Sequence, residues 1–478
     1  MKKISGFFKA IGRYFKNFGV AFAKGDIWVK LSAVIMGAGY FARKQIVNGL
    51  IMLIVEAAFV LMCVGYAAPN LAKFGTLGTV KFEQVFDPLT MQTTTNNYDN
   101  SFQILLNSVV ALFIILIFVL FYIHNIKTVY KLQQMKENGE HINTFKEDMK
   151  SLFNEKFHIT LLTLPTIGVV IMNILPILIL IAVAFTNYDQ QHLPPNSLFT
   201  WVGFKNFASL FSNSMTVTFG YSFRKVLGWT LVWAVMATFT TFIGGILLAK
   251  AINSKTTKLP KMWRTLFIIS IAVPQFVTLL LVRNFFADSG IVNTICSNIG
   301  ITDMLKHAGL VGEHLTYIPF LTDPHWAKVM IILINIWVGV PYQMLIATGV
   351  LMNLPSDQLE SARVDGATNF QIFRKITMPY LLFVTGPALI TDFVKNINNF
   401  NVIYLLTQDV YTTTNQAMAS SQAKEVDLLV TWLFRLTQDY YNYKMASAIG
   451  IIVFIICAVF TLVAFNRMIK GDKEGTYQ

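Results

Sequence analysis

Eight runs of about 20 mostly apolar residues, near 49-67, 104-123, 160-185, 227-249, 265-286, 329-352, 381-405 and 445-466, dominate this chain. Each is long enough to cross roughly 30 Å of hydrocarbon as a helix, and a lone spanning segment must be helical because lipid offers its backbone no hydrogen bonds. The expectation is an all-α polytopic membrane protein with eight transmembrane helices. Composition agrees: 54% of the 478 residues are hydrophobic and 13% are charged, where soluble chains carry about a quarter. The net charge of +13 raises the question of nucleic acid, but the basic residues are scattered along segments that flank apolar runs, so that partner is excluded. Cys63 and Cys457 fall inside apolar runs and Cys296 stands alone in a loop, which leaves neither a disulfide framework nor a thiolate metal site. No cleavable signal is evident in the basic, interrupted first 48 residues.

Charge orients the spans. With a cytoplasmic N-terminus, the inner segments 1-48, 124-157, 250-264, 354-380 and 467-478 hold 26 of the 38 Lys and Arg, so both termini are expected in the cytoplasm of a bacterial cell. The division is a cytoplasmic amphipathic segment (1-48), two spans with a cytoplasmic loop (49-158), a six-span core (159-466) and a cytoplasmic tail (467-478). Phe8, Ile11, Phe15, Phe18 and Phe22 line one side of residues 5 to 23, with Lys9, Arg13 and Lys16 elsewhere, which describes a helix anchored on anionic lipid. Segment 124-157 mixes six Lys with five acids and reads as a solvated helix pair. Pro165 and Pro176 in the third span, Pro274 in the fifth, Pro341 in the sixth and Pro387 in the seventh each free a backbone carbonyl. Such helices face protein or a water-filled cavity, which favours a transport core, although any one proline also suits a packing kink.

Residues 354 to 380, LPSDQLESARVDGATNFQIFRKITMPY, are a polar stretch between two long apolar runs that reads as two short helices. Ser356 is expected to cap a first helix, with Asp357 and Glu360 near its positive end and Gly366 turning the chain out of its last turn. Thr368 restarts the helix, with Gln371 completing a capping box. Phe370, Phe373 and Ile376 form an apolar side away from Asn369, Arg374 and Lys375, and Pro379 is expected to stop the pattern. Two capped helices are more structure than a plain connection needs, so the stretch either lies at the interface as an ordinary hairpin or touches a partner.

This stretch resembles the cytoplasmic signature of ABC-importer permease subunits, approximately E-A-A-x-x-D-G-A followed by F-x-x-I-x-L-P. Here it stands as Glu360-Ser361-Ala362-x-x-Asp365-Gly366-Ala367 and Phe373-x-x-Ile376-x-Met378-Pro379, with Ser for the first Ala and Met for Leu. Further stretches are similar to the MalF-type subunits of maltose/maltodextrin importers: Phe185-Thr186-Asn187-Tyr188-Asp189, Trp201-Val202-Gly203, Ala272-Val273-Pro274, Asn335-Ile336-Trp337-Val338-Gly339-Val340-Pro341-Tyr342 and Asn396-Ile397-Asn398-Asn399-Phe400. The likeness covers roughly residues 160 to 466. It implies the type I importer permease fold, in which Glu360, Ser361, Ala362, Asp365, Gly366, Ala367 and Phe373 belong to a coupling helix docked on an ATPase. It also implies a second, MalG-like permease subunit, an ATPase dimer and an extracellular sugar-binding protein. One departure is the short segment 186 to 226, where the best-known member carries a large folded insertion.

The family's sugar site maps onto Asn335, Val338, Gly339, Tyr342, Asn396 and Asn399. These residue types suit a carbohydrate, since amides donate and accept toward sugar hydroxyls, a tyrosine ring can lie under a pyranose, and Gly339 lets a sugar approach the backbone. Intramembrane Asn also serves to bond neighbouring helices. Lys395 stands where maltose-type members carry an aromatic residue, and Asp392 is three residues earlier. Either the two form a buried pair, or Lys395 points into the cavity and alters sugar preference.

The expected function is therefore the transmembrane half of an ATP-driven oligosaccharide importer. The chain is not expected to be an enzyme or to hold a cofactor or metal of its own, because no G-x-x-x-x-G-K-[ST] loop occurs and ATP with Mg belongs to the partner ATPase. The rival class is an ion-coupled sugar transporter, motivated by Glu56, Asp392 and Lys395. His124, His141, His158, His307, His314 and His325 show no ligand spacing, so a metalloenzyme is set aside.

Overall fold

The computed structural model describes residues 2–88, 91–212, 218–254, 256–408, 410 and 415–472. Among them, seven helices are long and apolar enough to span a membrane: Ile46–Phe74, Ser101–Glu137, Phe157–Ala184, Thr218–Ile252, Pro324–Met352, Asn369–Leu406 and Tyr443–Met468. They coincide with seven of the eight apolar runs. The remaining run, 265-286, is two helices, Pro260–Ala272 and Gln275–Phe285, bent by 92°. Val273 is extended at the break because Pro274 disfavours a helical residue before it and supplies no N–H. Outside the helices stands a small antiparallel hairpin, Gln84–Asp87 paired with Gln92–Thr95, which the all-helical expectation did not contain.

Three spans each contain one wide π turn, Cys63–Ala67, Val170–Ile174 and Phe373–Thr377. Each turn ends two residues before a proline: Pro69, Pro176 and Pro379. The amide after the π turn reaches back five residues, as Met378 N–H does to Phe373 O, so the backbone is widened where the proline would otherwise crowd the preceding turn. For this reason Pro379 does not stop the helix. The chain runs from Asn369 through the π turn into Met378–Ile397.

The chain divides into two compact units, Met1–Gly203 and Phe204–Gln478. The third spanning helix, Phe157–Ala184, thus groups with the first two. In the first unit, Lys2–Lys24 packs along Ser101–Glu137. Tyr14 and Phe18 are half-buried and Ala21 is buried, and the Lys127 ammonium sits 3.9 Å from the Tyr14 ring centre. Phe15 and Phe22 stay exposed, so the apolar stripe read from the sequence is split between protein and surroundings. The side chains of Phe8, Lys9 and Ile11 lie outside the described residues. Glu56, within the first span, accepts a hydrogen bond of 3.0 Å from the Met36 N–H, so a backbone donor satisfies this intramembrane carboxylate. At the far end of the same helix, Lys73 Nζ lies 2.6 Å from Asp99. Burial alone would raise the Asp99 carboxyl, but Lys73 and the N–H groups of Thr79 and Val80 outweigh it and hold it below the usual carboxylate range.

The second unit is built on Thr218–Ile252 against Pro324–Met352. Asp323 caps the latter, accepting from His325 and Trp326 N–H ahead of Pro324 at the first turn. The two helices meet through small residues, as spanning helices do when dispersion rather than water drives their contact. A Cβ on Gly245 would stand 2.4 Å from Gln343 Cβ, and one on Gly339 would stand 2.8 Å from Thr241 Cγ2. Around this seam lie Trp233, Ala237, Ile331 and Ile334, all buried. Gly245→Val is therefore expected to force the helices apart and destabilise the unit by about 3 kcal/mol, while Gly228→Ala on the same helix, with nothing within 4 Å, does not. Thermal unfolding of the purified variants checks this, and equal midpoints for Gly245→Val and wild type would refute the close seam.

Candidate functional site

A cavity of about 490 Å³ opens among six helical segments of the second unit. Asn335, Val338, Gly339, Tyr342, Lys395, Asn396 and Asn399, the seven residues singled out for sugar contact, all line it. Helical spacing puts Asn335, Val338, Gly339 and Tyr342 on one side of Pro324–Met352. Asn335 is buried and its amide has no hydrogen-bond partner among the described residues, while Tyr342 is 52% exposed. A free amide and an uncovered ring in one wall are suited to a polyhydroxylated ligand with apolar faces.

The opposite wall is the end of Met378–Ile397 and the turn after it. Asn396 Nδ2 donates to Thr238 Oγ1 at 2.9 Å, its backbone carbonyl accepts from Trp233 Nε1 at 3.1 Å, and Asn399 Nδ2 approaches Asn396 Oδ1 at 3.4 Å. Asn399 also caps Phe400–Leu406 through Val402 N–H. These two amides therefore knit helices together as well as face the cavity. Gly339 has a comparable second duty, since its missing side chain is needed by Thr241 at the helix seam.

Asp392 and Lys395 do not pair. Asp392 Oδ2 instead accepts 2.7 Å from Gln343 Nε2, a buried amide on the facing helix, because a carboxylate at this depth takes whatever donor is in reach. Lys395 is exposed on the cavity wall in the last turn of its helix, where unpaired carbonyls favour a cation. Sequence reasoning did not assign the cavity residues Thr241, Ser270, Gln275, Thr278 and Gln343. Ser270, Gln275 and Thr278 enter because the run 265-286 breaks at Val273, which exposes polar residues of an apparently ordinary span; Pro274 was the available signal.

The polar stretch at 354 to 380 forms one free-standing helix, Ser356–Val364, joined by a turn to the foot of the next span. Gly366 takes φ +80°, the left-handed conformation that a non-glycine adopts at a cost, and the Thr368/Gln371 capping box is complete. Ser356 does not cap: Pro355 holds the cap position with a ring that carries no hydrogen-bond acceptor, and the Ser356 hydroxyl donates to Asp357 at 3.2 Å. A hollow of about 340 Å³ between the two arms is lined by Ala362, Asp365, Gly366, Ala367 and the start of the second helix. Glu360 and Ser361 are exposed beside it. The apolar side is not the one the spacing proposed. Phe370 is 68% exposed and Val364 is 88% exposed, whereas Ile372 is buried. Phe373 turns inward, packing on the cluster of Phe242, Ile246 and Met344 with the Lys250 ammonium 4.3 Å from its ring centre. Phe373 thus ties the hairpin to the spans, while Phe370, together with Val364, which the sequence reading did not single out, offers outward apolar surface.

Residues 241–470 match the family described as binding-protein-dependent transport system inner membrane component. The chain is 34% identical over 440 residues, 91% of its length, to the maltodextrin transport system permease protein MdxF of Bacillus subtilis, covering 94% of that protein. It is 32% identical to the galactooligosaccharides transport system permease protein GanP of the same organism, over 93% of this chain and 98% of the relative. With MalF of Escherichia coli strain K12 the match is 29% over 280 residues, 58% of this chain and 51% of that one. Among solved structures, a bacterial ABC transporter that imports alginate superposes with a TM-score of 0.50 at 24% identity, covering 69% of this chain and 99% of that chain; the likeness concerns the fold.

Proposed function

The chain belongs to the family of binding-protein-dependent permease subunits of ABC importers, in the branch of the maltodextrin permeases, and from that premise we propose that it moves neutral oligosaccharides of the maltodextrin class through the cavity between its helices. The observation that carries the substrate reading is the convergence of Asn335, Tyr342, Lys395, Asn396 and Asn399, from two separate helices, on one polar cavity. Galactooligosaccharides are the neighbouring substrate class, since a relative of similar identity is named for them.

In this reading the hairpin at 354 to 380 and both termini lie in the cytoplasm, on the side favoured by the basic residues. Glu360, Ser361, Ala362, Asp365, Gly366 and Ala367 form the surface that meets the ATPase, with Val364 and Phe370 beside them. Closure of an ATPase dimer pushes on this surface, Phe373 passes the displacement to the spans, and the cavity opens alternately to each side. A second, MalG-like permease subunit completes the pathway, and an extracellular sugar-binding protein delivers the ligand. ATP and Mg stay with the ATPase. The ion-coupled alternative loses ground with its motivating charges, because Glu56 is bonded to Met36 N–H and Asp392 to Gln343.

Uptake of labelled oligosaccharides by the reconstituted complex tests the proposal. Maltodextrin uptake is expected to require ATP and to persist with a protonophore; uptake abolished by the protonophore with ATP intact would overturn it.

A further inference from the structure

A second polar cavity, of about 240 Å³, lies beyond the first, toward the end of the spans opposite the 354-380 hairpin. Its lining includes Tyr404, Gln408, Asp427, Thr431, Arg435 and Asp439. The floor is rigid. Asp427 is buried and accepts from Lys424 N–H at 2.7 Å, from Thr431 Oγ1 at 3.1 Å and from the Arg435 guanidinium. Burial pushes the Asp427 carboxyl above the usual carboxylate range, against the pull of Arg435. Among the described residues the half-buried Tyr404 hydroxyl has no hydrogen-bond partner, so a donor remains at the cavity after the internal bonds are made.

The two cavities are joined by aromatic rings. Phe400 lines the first and Tyr404 the second. Their ring centres are 4.7 Å apart and stacked at 18°, and Phe434 packs edge-on to both, at 4.8 and 5.3 Å. All three rings are half-buried, so each keeps some uncovered surface. Aromatic surface flanked by carboxylate, amide, hydroxyl and guanidinium groups is the chemistry that receives a pyranose, with its apolar face on a ring and its hydroxyls on the polar groups.

We propose that this second cavity is a further carbohydrate subsite, which holds trailing residues of an oligosaccharide whose leading residues occupy the central cavity, with the Phe400, Tyr404 and Phe434 rings as the continuous surface between them. The inference rests on the oligosaccharide reading above and adds chain length to it. A disaccharide is accommodated in the central cavity alone, and a longer chain engages both.

The test compares uptake of maltose and maltohexaose by the reconstituted complex carrying Tyr404→Ala, Tyr404→Phe or Asp439→Ala. Tyr404→Ala is expected to lower the ratio of hexasaccharide to disaccharide uptake about tenfold, one stacking contact's worth of affinity. Tyr404→Phe, which keeps the ring, is expected to retain most of the ratio, and Asp439→Ala, at an exposed carboxylate, to lower it again. If Tyr404→Ala fails to assemble, the Asp439→Ala ratio decides. An unchanged ratio in the variants that assemble overturns the subsite while leaving the functional reading intact. A wild-type complex that moves neither sugar overturns both.

Discussion

Gly366→Leu is expected to cut sugar-stimulated ATP hydrolysis by the reconstituted complex at least tenfold while the subunit still inserts and assembles. Gly366 has φ +80°, and a Cβ there would meet nothing within 4 Å, so the penalty is backbone strain alone, about 1–2 kcal/mol. Relief of that strain rotates Ser356–Val364 relative to the Thr368 cap and so moves Val364 and Asp365 relative to Phe370 on the outward surface. The spanning core is untouched because none of its residues contacts this position. Gly366→Asn supplies the control, since asparagine tolerates the left-handed region and should keep more coupling than leucine. Normal stimulated hydrolysis in Gly366→Leu would remove the hairpin from the coupling pathway.

The second large effect is expected from Tyr342→Ala combined with Asn335→Ala. Removing a ring and an amide from one cavity wall costs roughly 1–3 kcal/mol for each contact, so uptake should fall by about two orders of magnitude or more. Neither side chain makes a hydrogen bond within the described residues, so the fold keeps its seam at Gly245 and Gly339 and its bond from Asn396 to Thr238. Sugar binding by the extracellular partner should persist, which separates a transport defect from a delivery defect. Undiminished uptake would move the sugar site to another part of the chain.

How much of this could be read from residues alone depends on the range of the forces involved. Seven spans were legible because hydrophobic length is a sum over 20 residues and tolerates local detail. The break at Val273-Pro274 was not, because proline in a span is as compatible with a continuous helix, as at Pro341, as with a 92° bend. Only packing against neighbours chooses between them. The residues proposed for sugar contact line one cavity because motif and helical spacing agreed, but the pairing of Asp392 was settled by Gln343, 49 positions away, a contact that no local spacing encodes. In the hairpin, capping was legible at Thr368 and wrong at Ser356, one residue too late to cap. The apolar side was misjudged because spacing alone does not say which flank of a helix meets the spans: Phe373 packs inward on them while Phe370 stays outside.

The glycine seam also bears on how such a transporter can change its diet. Where Gly339 meets the Thr241 side chain in the cavity wall, and Gly245 meets Gln343 at the same helix seam, an added side chain has no room without parting the helices. The facing wall is free of that constraint: Ser270, Gln275 and Thr278 flank a break, and Lys395 stands in an unconfined last turn. Descendants of this chain that acquire new sugars should therefore vary at 270, 275, 278 and 395 and hold 245 and 339 fixed, so that half of the cavity is heritage and half is open to selection.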